Sequence, residues 1–333
     1  MTKHIWTLLK FVFSVGLIWM VLQNAWAEVD KGGVELRSTL FDINLSIFAM
    51  AVVLNGFSFV GSAFQWHKLL VYQGISISWA TSFKNYFVGL FFNHFLLGNA
   101  GGDVQKVVDL HRQKNQWKEA LVATLFDRIF GLFIINGFAL IVGWVYFFNH
   151  DKLQILIWPS TWIALCLSIF FAILFSKRLS RLLLKLLGFF SFLGPVADKL
   201  GIVFERFVNY RKNHLVLKLL GFSLGIQFVR IYVHYLVGLS IGVEIDLIYY
   251  LYFIPMIGIV SALPISFAGF GPREYIAQAL FMLVAVNAGD AILIQVLALM
   301  CAFIPSLIGG WIFFKRKGAL KEKIRSESEI ETA

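Results

Sequence analysis

The feature that most constrains this chain is a succession of eight apolar windows of bilayer-spanning length, at about 6–24, 43–64, 120–147, 156–175, 218–241, 247–263, 273–288 and 291–314. A helix of roughly 20 apolar residues matches the hydrocarbon thickness of a membrane. The connections between the windows are too short for an ordinary soluble domain, so any chemistry takes place within or beside the bilayer. The balance of 59% hydrophobic to 14% charged residues excludes a water-soluble fold of this length. The pattern predicts an all-α polytopic membrane helix bundle. It reads as one integral domain over residues 1–317, followed by a short polar tail, 318–333, expected to be disordered.

Charge placement sets the expected orientation. Lys177, Arg178, Arg181, Lys185, Lys199, Arg206, Arg211, Lys212 and Lys218 crowd one connection, and Lys315, Arg316 and Lys317 follow the last window. The connection 25–42 is acidic. Basic loops stay in the cytoplasm, so an even number of crossings puts both termini there. The net charge of +10 follows from these flanks and their anionic lipid neighbours, which argues against a nucleic-acid partner. The bases of 177–212 alternate with Leu, Phe and Val as in helices lying on a membrane surface. Near the N-terminus, Ala25-Trp26-Ala27 imitates a signal-peptidase site, but the first window is read as an uncleaved signal anchor.

Residues 86–102 are apolar yet should not cross. A crossing there would invert every later window and place the nine bases after Phe175 outside. A run of about a dozen apolar residues is also short for a span, so this segment is expected to be re-entrant or interfacial.

Arg230 stands near the middle of the window 218–241. An arginine at a helix centre is unfavourable by roughly 2.5–3.5 kcal/mol on insertion scales, so it is expected to face a protein interior or wet cavity. Gln227, Arg230 and His234 share one helical face. Asp127 and Arg128 lie about two turns into an earlier window. Together they read as a polar pathway; the alternative is a packing ion pair, such as Asp127 with Arg230.

Two glycine-bearing segments add to this. Gly101 and Gly102 permit a backbone reversal, and Asp103 can then open a helix that presents Lys106, whose N-terminus could hold an anion. A plain turn and helix cap explain these residues equally well. Around 264–274, Pro264, Gly269, Gly271 and Pro272 interrupt the apolar sequence just before Arg273 and Glu274. This is the pattern of a broken helix lining a cavity, with an ordinary interhelical turn as the alternative.

The segments Asn99 to Lys106 (NAGGDVQK), Phe126 to Gly131 (FDRIFG) and Leu263 to Glu274 (LPISFAGFGPRE), in this order, resemble the transmembrane region of lysylphosphatidylglycerol synthase. The resemblance covers essentially the full chain. It implies a multi-pass protein of the bacterial inner membrane related to lipid translocation, with Asp103, Asp127, Arg128, Arg273 and Glu274 as motif positions. Ala268 and Pro272 depart from a more glycine-rich motif, and no soluble aminoacyl-transferase domain follows Phe314. Lysyl transfer is therefore not expected.

The chain has no H-E-x-x-H, G-x-S-x-G or Walker motif, and Cys166 and Cys301 lie inside apolar windows as packing residues. No metal, cofactor or enzymatic activity is expected. The predicted partner is an anionic lipid, either a phospholipid or a polyprenyl-phosphate-linked carrier, whose phosphate would meet Arg230 and Arg273. Two rival expectations are a membrane transferase with Asp103 or Glu274 as general base, and an accessory protein that positions an envelope-synthesis enzyme.

Overall fold

The computed structural model describes residues 42–95, 101–150, 152–189, 200–201, 204–205, 207, 214–262 and 272–331. Among these residues every regular element is helical: α1 Leu45–Tyr72, α2 Trp79–Phe95, α3 Gly101–Lys114, α4 Trp117–Tyr146, α5 Ile157–Phe175, α6 Lys177–Gly188, α7 His214–Ser240, α8 Leu247–Ala262, α9 Pro272–Phe281 and α10 Ala288–Glu331. The first apolar window, the candidate cleavage site, Pro264, Gly269 and Gly271 lie outside the described residues.

Among the described residues five helices are long and apolar enough to cross a bilayer: α1, α4, α5 (with the turn before it, Gln154–Phe175), the Lys218–Ser240 portion of α7 and the Ala288–Arg316 portion of α10. Phe57, Trp162 and Trp311 on these helices are about two-thirds exposed, as lipid-facing side chains are in a bundle without its membrane. Exposed Trp144 and Trp158 near one end, with Trp79 and Trp117 near the other, form the aromatic belts of the two interfaces. The second of these ends also carries α6 and Lys315, and we call it the basic end.

The described parts of 86–102 fall at the end of α2 and the start of α3. These helices pair antiparallel, Asn85 bonding Gln113 at one end and Asn93 the Gly102 N–H at the other, and α2 packs against α10. Near the basic end, Arg316 donates to Asn85 Oδ1 at 3.1 Å and lies 3.6 Å from Asp109. Nine residues further along α2, the ring of His94 packs on Phe303, halfway along the spanning part of α10. The pair therefore enters from the basic end to mid-depth and returns. Small residues allow the fit: a Cβ at Gly102 would run into the Gly89 carbonyl, and one at Gly309 into the Phe87 carbonyl. The Gly102 N–H is held by Asn93 Oδ1 at 2.8 Å.

The window 273–288 is corrected. It forms α9, ten residues long, which reaches only about 15 Å, half the hydrocarbon thickness. Helix α8, with 16 residues, runs beside it: Phe281 at the end of α9 packs on Tyr250 and Phe253 near the start of α8. Deeper down, Gly258 faces Ile135 in the middle of α4. So α8 and α9 enter from the end opposite the basic one and return, a second hairpin of inverted orientation. Because two windows become one hairpin, the parity of crossings is unaltered.

At the C-terminal end, helix α10 continues to Glu331. The Lys, Glu and Arg residues there are good helix formers, and beyond Pro305 the helix meets no further proline.

The apolar core falls into two parts. One, around Val142, Val237, Tyr250, Phe253, Phe281 and Leu297, fills the half of the bundle away from the basic end. The other, around Trp66, Leu70, Phe87, Phe126 and Phe130, fills the basic half. Between them α1 contributes buried Asn55, Ser58 and Ser62, α7 contributes Gln227, and α10 contributes Ser306. A polar belt at mid-depth thus separates two aliphatic and aromatic packings.

Candidate functional site

In the basic half, α3 begins at Gly101, and its first turn carries Asp103, a favourable place for an acid. Asp103 accepts from Lys106 Nζ at 2.8 Å and from Arg128 Nε on α4 at 2.5 Å. Lys106 is almost completely buried, and its ammonium also sits 4.3 Å from the centre of the Tyr86 ring. Arg128 is half-exposed, 11 residues into α4 from its start at Trp117, which places it about 16 Å from the basic end. One residue earlier, Asp127 accepts from Gln65 Nε2 on α1 at 2.8 Å.

Arg230 lies at mid-depth. It donates to Ser62 Oγ at 2.8 Å and lies over the Phe59 ring, and its buried Nε has no partner. Among the described residues no carboxylate pairs with it. The packing ion pair between Asp127 and Arg230 is therefore corrected: Asp127 is engaged by Gln65, and its charge acts on Arg230 without a bridge. Gln227 is buried, its amide against Gly131. His234 donates through Nδ1 to the Arg230 carbonyl at 2.9 Å, and the 227/230/234 face is turned into the bundle.

In the opposite half, Pro272 opens α9 with its ring at the first helical position, where a missing N–H leaves nothing unmet. Arg273 reaches α10, donating to the Gln295 carbonyl at 2.6 Å, and pairs with Glu274 Oε1 at 3.2 Å. Its Nε is buried without a partner. The charge of Arg273 acts on both His94, at the tip of the first hairpin, and His234. Glu274 is buried.

The expected residues therefore do not encircle one hollow. They form a file across the bundle: Asp103, Lys106, Asp127 and Arg128 in the basic half, Arg230 with Gln227 and His234 at mid-depth, and Arg273 with Glu274 beyond. Three residues in contact with this file escape the sequence motifs. Gln65 bonds Asp127, Gln295 is fully buried beside Arg273, and His94 lies between the hairpins. Their signal in the sequence is a single amide or imidazole within an otherwise apolar stretch, as in Ala291 to Met300.

At the mouth of the first hairpin, Asp109 accepts from Gln105 at 2.7 Å and faces Arg316. Burial raises its carboxyl above the usual range against the opposing pull of Arg316. Among the described residues no group of three or more His, Cys, Asp or Glu is arranged to hold a metal ion.

Chemically, the file offers guanidinium groups with unused donors inside a low-dielectric bundle, the arrangement that attracts and orients an anion. Comparison with known families gives a match to the family described as Lysylphosphatidylglycerol synthase TM region, over residues 7–310. No curated protein and no solved structure matches the chain.

Proposed function

The chain belongs to the lysylphosphatidylglycerol synthase TM-region family, and from that membership we propose that it binds an anionic lipid headgroup in the polar file and carries it across the bilayer. Arg230 is the observation that supports this reading most strongly. It is a guanidinium at mid-depth whose hydrogen bond goes to a neutral hydroxyl and whose Nε has no acceptor. A structural ion pair would supply a carboxylate; a site awaiting a phosphate would not. Arg273 is the second anion contact, with Glu274 steering its side chain, while Asp103 holds Lys106 and Arg128 on the basic side of Arg230. The acyl chains remain in the bilayer beside the hairpins.

The lipid is a phospholipid or a polyprenyl-phosphate-linked carrier. The basic end, with α6 and Lys315, faces the cytoplasm together with both termini, in the inner membrane of a bacterium, and residues 1–317 act as one integral domain. An enzyme of envelope synthesis that makes or consumes the lipid is the protein partner this function calls for.

Native mass spectrometry of gently purified protein tests the binding step. A retained anionic lipid is expected on the natural chain and is expected to be lost from Arg230→Gln. Equal retention by both proteins, with equal melting temperatures, would rule out Arg230 as the headgroup contact.

A further inference from the structure

Arg230 gives one nitrogen to Ser62 and keeps a buried Nε without an acceptor. Three residues further along α1, Gln65 gives its amide N–H to Asp127. That bond fixes the amide's orientation and leaves Oε1 buried without a donor. In the other half of the bundle, Arg273 also keeps a buried Nε without an acceptor. Gln295, whose backbone carbonyl Arg273 holds, is fully buried with both amide atoms unpartnered.

Two unmet needs therefore occur at both places: an arginine N–H that wants an acceptor, and a glutamine oxygen that wants a donor; at Gln295 the amide N–H wants an acceptor as well. Native proteins leave few such groups, and each calls for an explanation. A phosphate diester offers only acceptor oxygens, so it answers the arginine and leaves the glutamine oxygen empty.

The geometry points to two equivalent headgroup stations, Arg230 with Gln65 and Arg273 with Gln295, each matched to a phosphate that bears a hydrogen-bond donor, hydroxyl or ammonium, beside it. This deepens the proposed function and rests on it. Gln65 lies seven residues from the end of α1 at Tyr72, and Gln295 seven residues from the start of α10 at Ala288. The two glutamines thus sit about 10 Å in from opposite ends of these helices, Gln65 on the basic side of Arg230. A headgroup leaving one station meets the same chemistry at the next, so neither has to bind tightly enough to trap it.

The test uses the full chain in vesicles and four tail-labelled lipids. Phosphatidylglycerol carries hydroxyl donors and phosphatidylethanolamine an ammonium; phosphatidylmethanol and phosphatidylcholine carry no donor. The readout is the ratio of initial translocation rates between donor-bearing and donor-free lipids of the same net charge. The natural protein is expected to favour the donor-bearing lipids by about tenfold, the factor that one net hydrogen bond corresponds to. Gln65→Met and Gln295→Met should each bring the ratio toward one, and comparing the two donor-bearing lipids tells hydroxyl from ammonium.

A ratio near one in the natural protein overturns the inference, as does an unaltered ratio in the methionine variants. If a substitution prevents folding, competition between phosphatidylglycerol and phosphatidylmethanol on the natural protein, read by native mass spectrometry, gives the preference directly. Equal retention of the two lipids would overturn it. Arg230→Gln combined with Arg273→Gln separates the layers of the argument. Translocation that survives their loss refutes the phosphate reading itself, whereas loss of translocation with unchanged ratios in the glutamine variants refutes only the stations.

Discussion

Replacing Asp103 by Asn should destabilise the first hairpin more than a surface change could. The Asp103 carboxylate neutralises two cations, one of them Lys106 with a side chain only 3% exposed. Removing one partner of a buried pair costs about 3–5 kcal/mol because the remaining charge is left uncompensated. Contact with the Tyr86 ring keeps part of the stabilisation of Lys106, so the lower value, about 3 kcal/mol, is the expectation for this pair. Arg128 is 42% exposed, so its bond to Asp103 adds no more than about 1 kcal/mol. Asp103→Asn combined with Lys106→Met should recover most of the loss, since the buried ammonium is then gone and no uncompensated charge remains beside the introduced amide. Thiol reactivity during heating provides the assay, because Cys301 is buried in α10 and becomes reactive on unfolding, while Cys166 is exposed throughout. A single variant as stable as the natural chain, or a double variant no more stable than the single one, would refute this account of the hairpin.

Valine at Gly102 or Gly309 must push α2 away from its neighbours; cysteines placed at Asn85 and Arg316 should then crosslink far less efficiently, and unchanged crosslinking would contradict the packing. Burial raises the Asp109 carboxyl, so the folded hairpin holds that proton more tightly than the unfolded chain; stability should fall as pH rises from the usual carboxylate value through the raised one. Asp109→Asn should flatten that slope in melts taken across the acid range, and a slope identical to the natural protein's would contradict it. Helix α6 exposes Arg178, Arg181 and Lys185 on one side and Leu179, Leu182 and Leu186 on another. Glutamine at the three bases should weaken stabilisation by anionic lipid by about 1 kcal/mol per charge, read as a smaller melting shift on adding phosphatidylglycerol.

Much of this architecture is legible in the sequence because hydropathy and charge act through simple sums. The crossing helices follow from apolar length, and the re-entry of 86–102 follows from the position of the bases after Phe175. The return of α8 and α9 does not follow, because Tyr275 to Val286 is as apolar as a span. What ends α9 is local: a 3-10 turn after Phe281 and a left-handed Ala285 at φ 63°. Hydropathy carries no signal for such a bend. Arg230 was visible as a charge in an apolar stretch, but its neighbours were not. Asp103 rather than Asp127 takes Arg128, because the α2 and α3 hairpin brings a residue 25 positions away within reach. Gln65 and Gln295 carry no charge and belong to no motif, so only their burial without partners reveals them.

Lipid scrambling in reconstituted vesicles tests the central claim most directly. With labelled phosphatidylglycerol in both leaflets, an impermeant quencher should bleach nearly all of the signal in vesicles holding the natural chain. With folded Arg230→Gln it should bleach only the outer-leaflet share, about half in a symmetric vesicle, because the anion loses its mid-depth contact. Complete bleaching by Arg230→Gln at the natural rate would contradict the account.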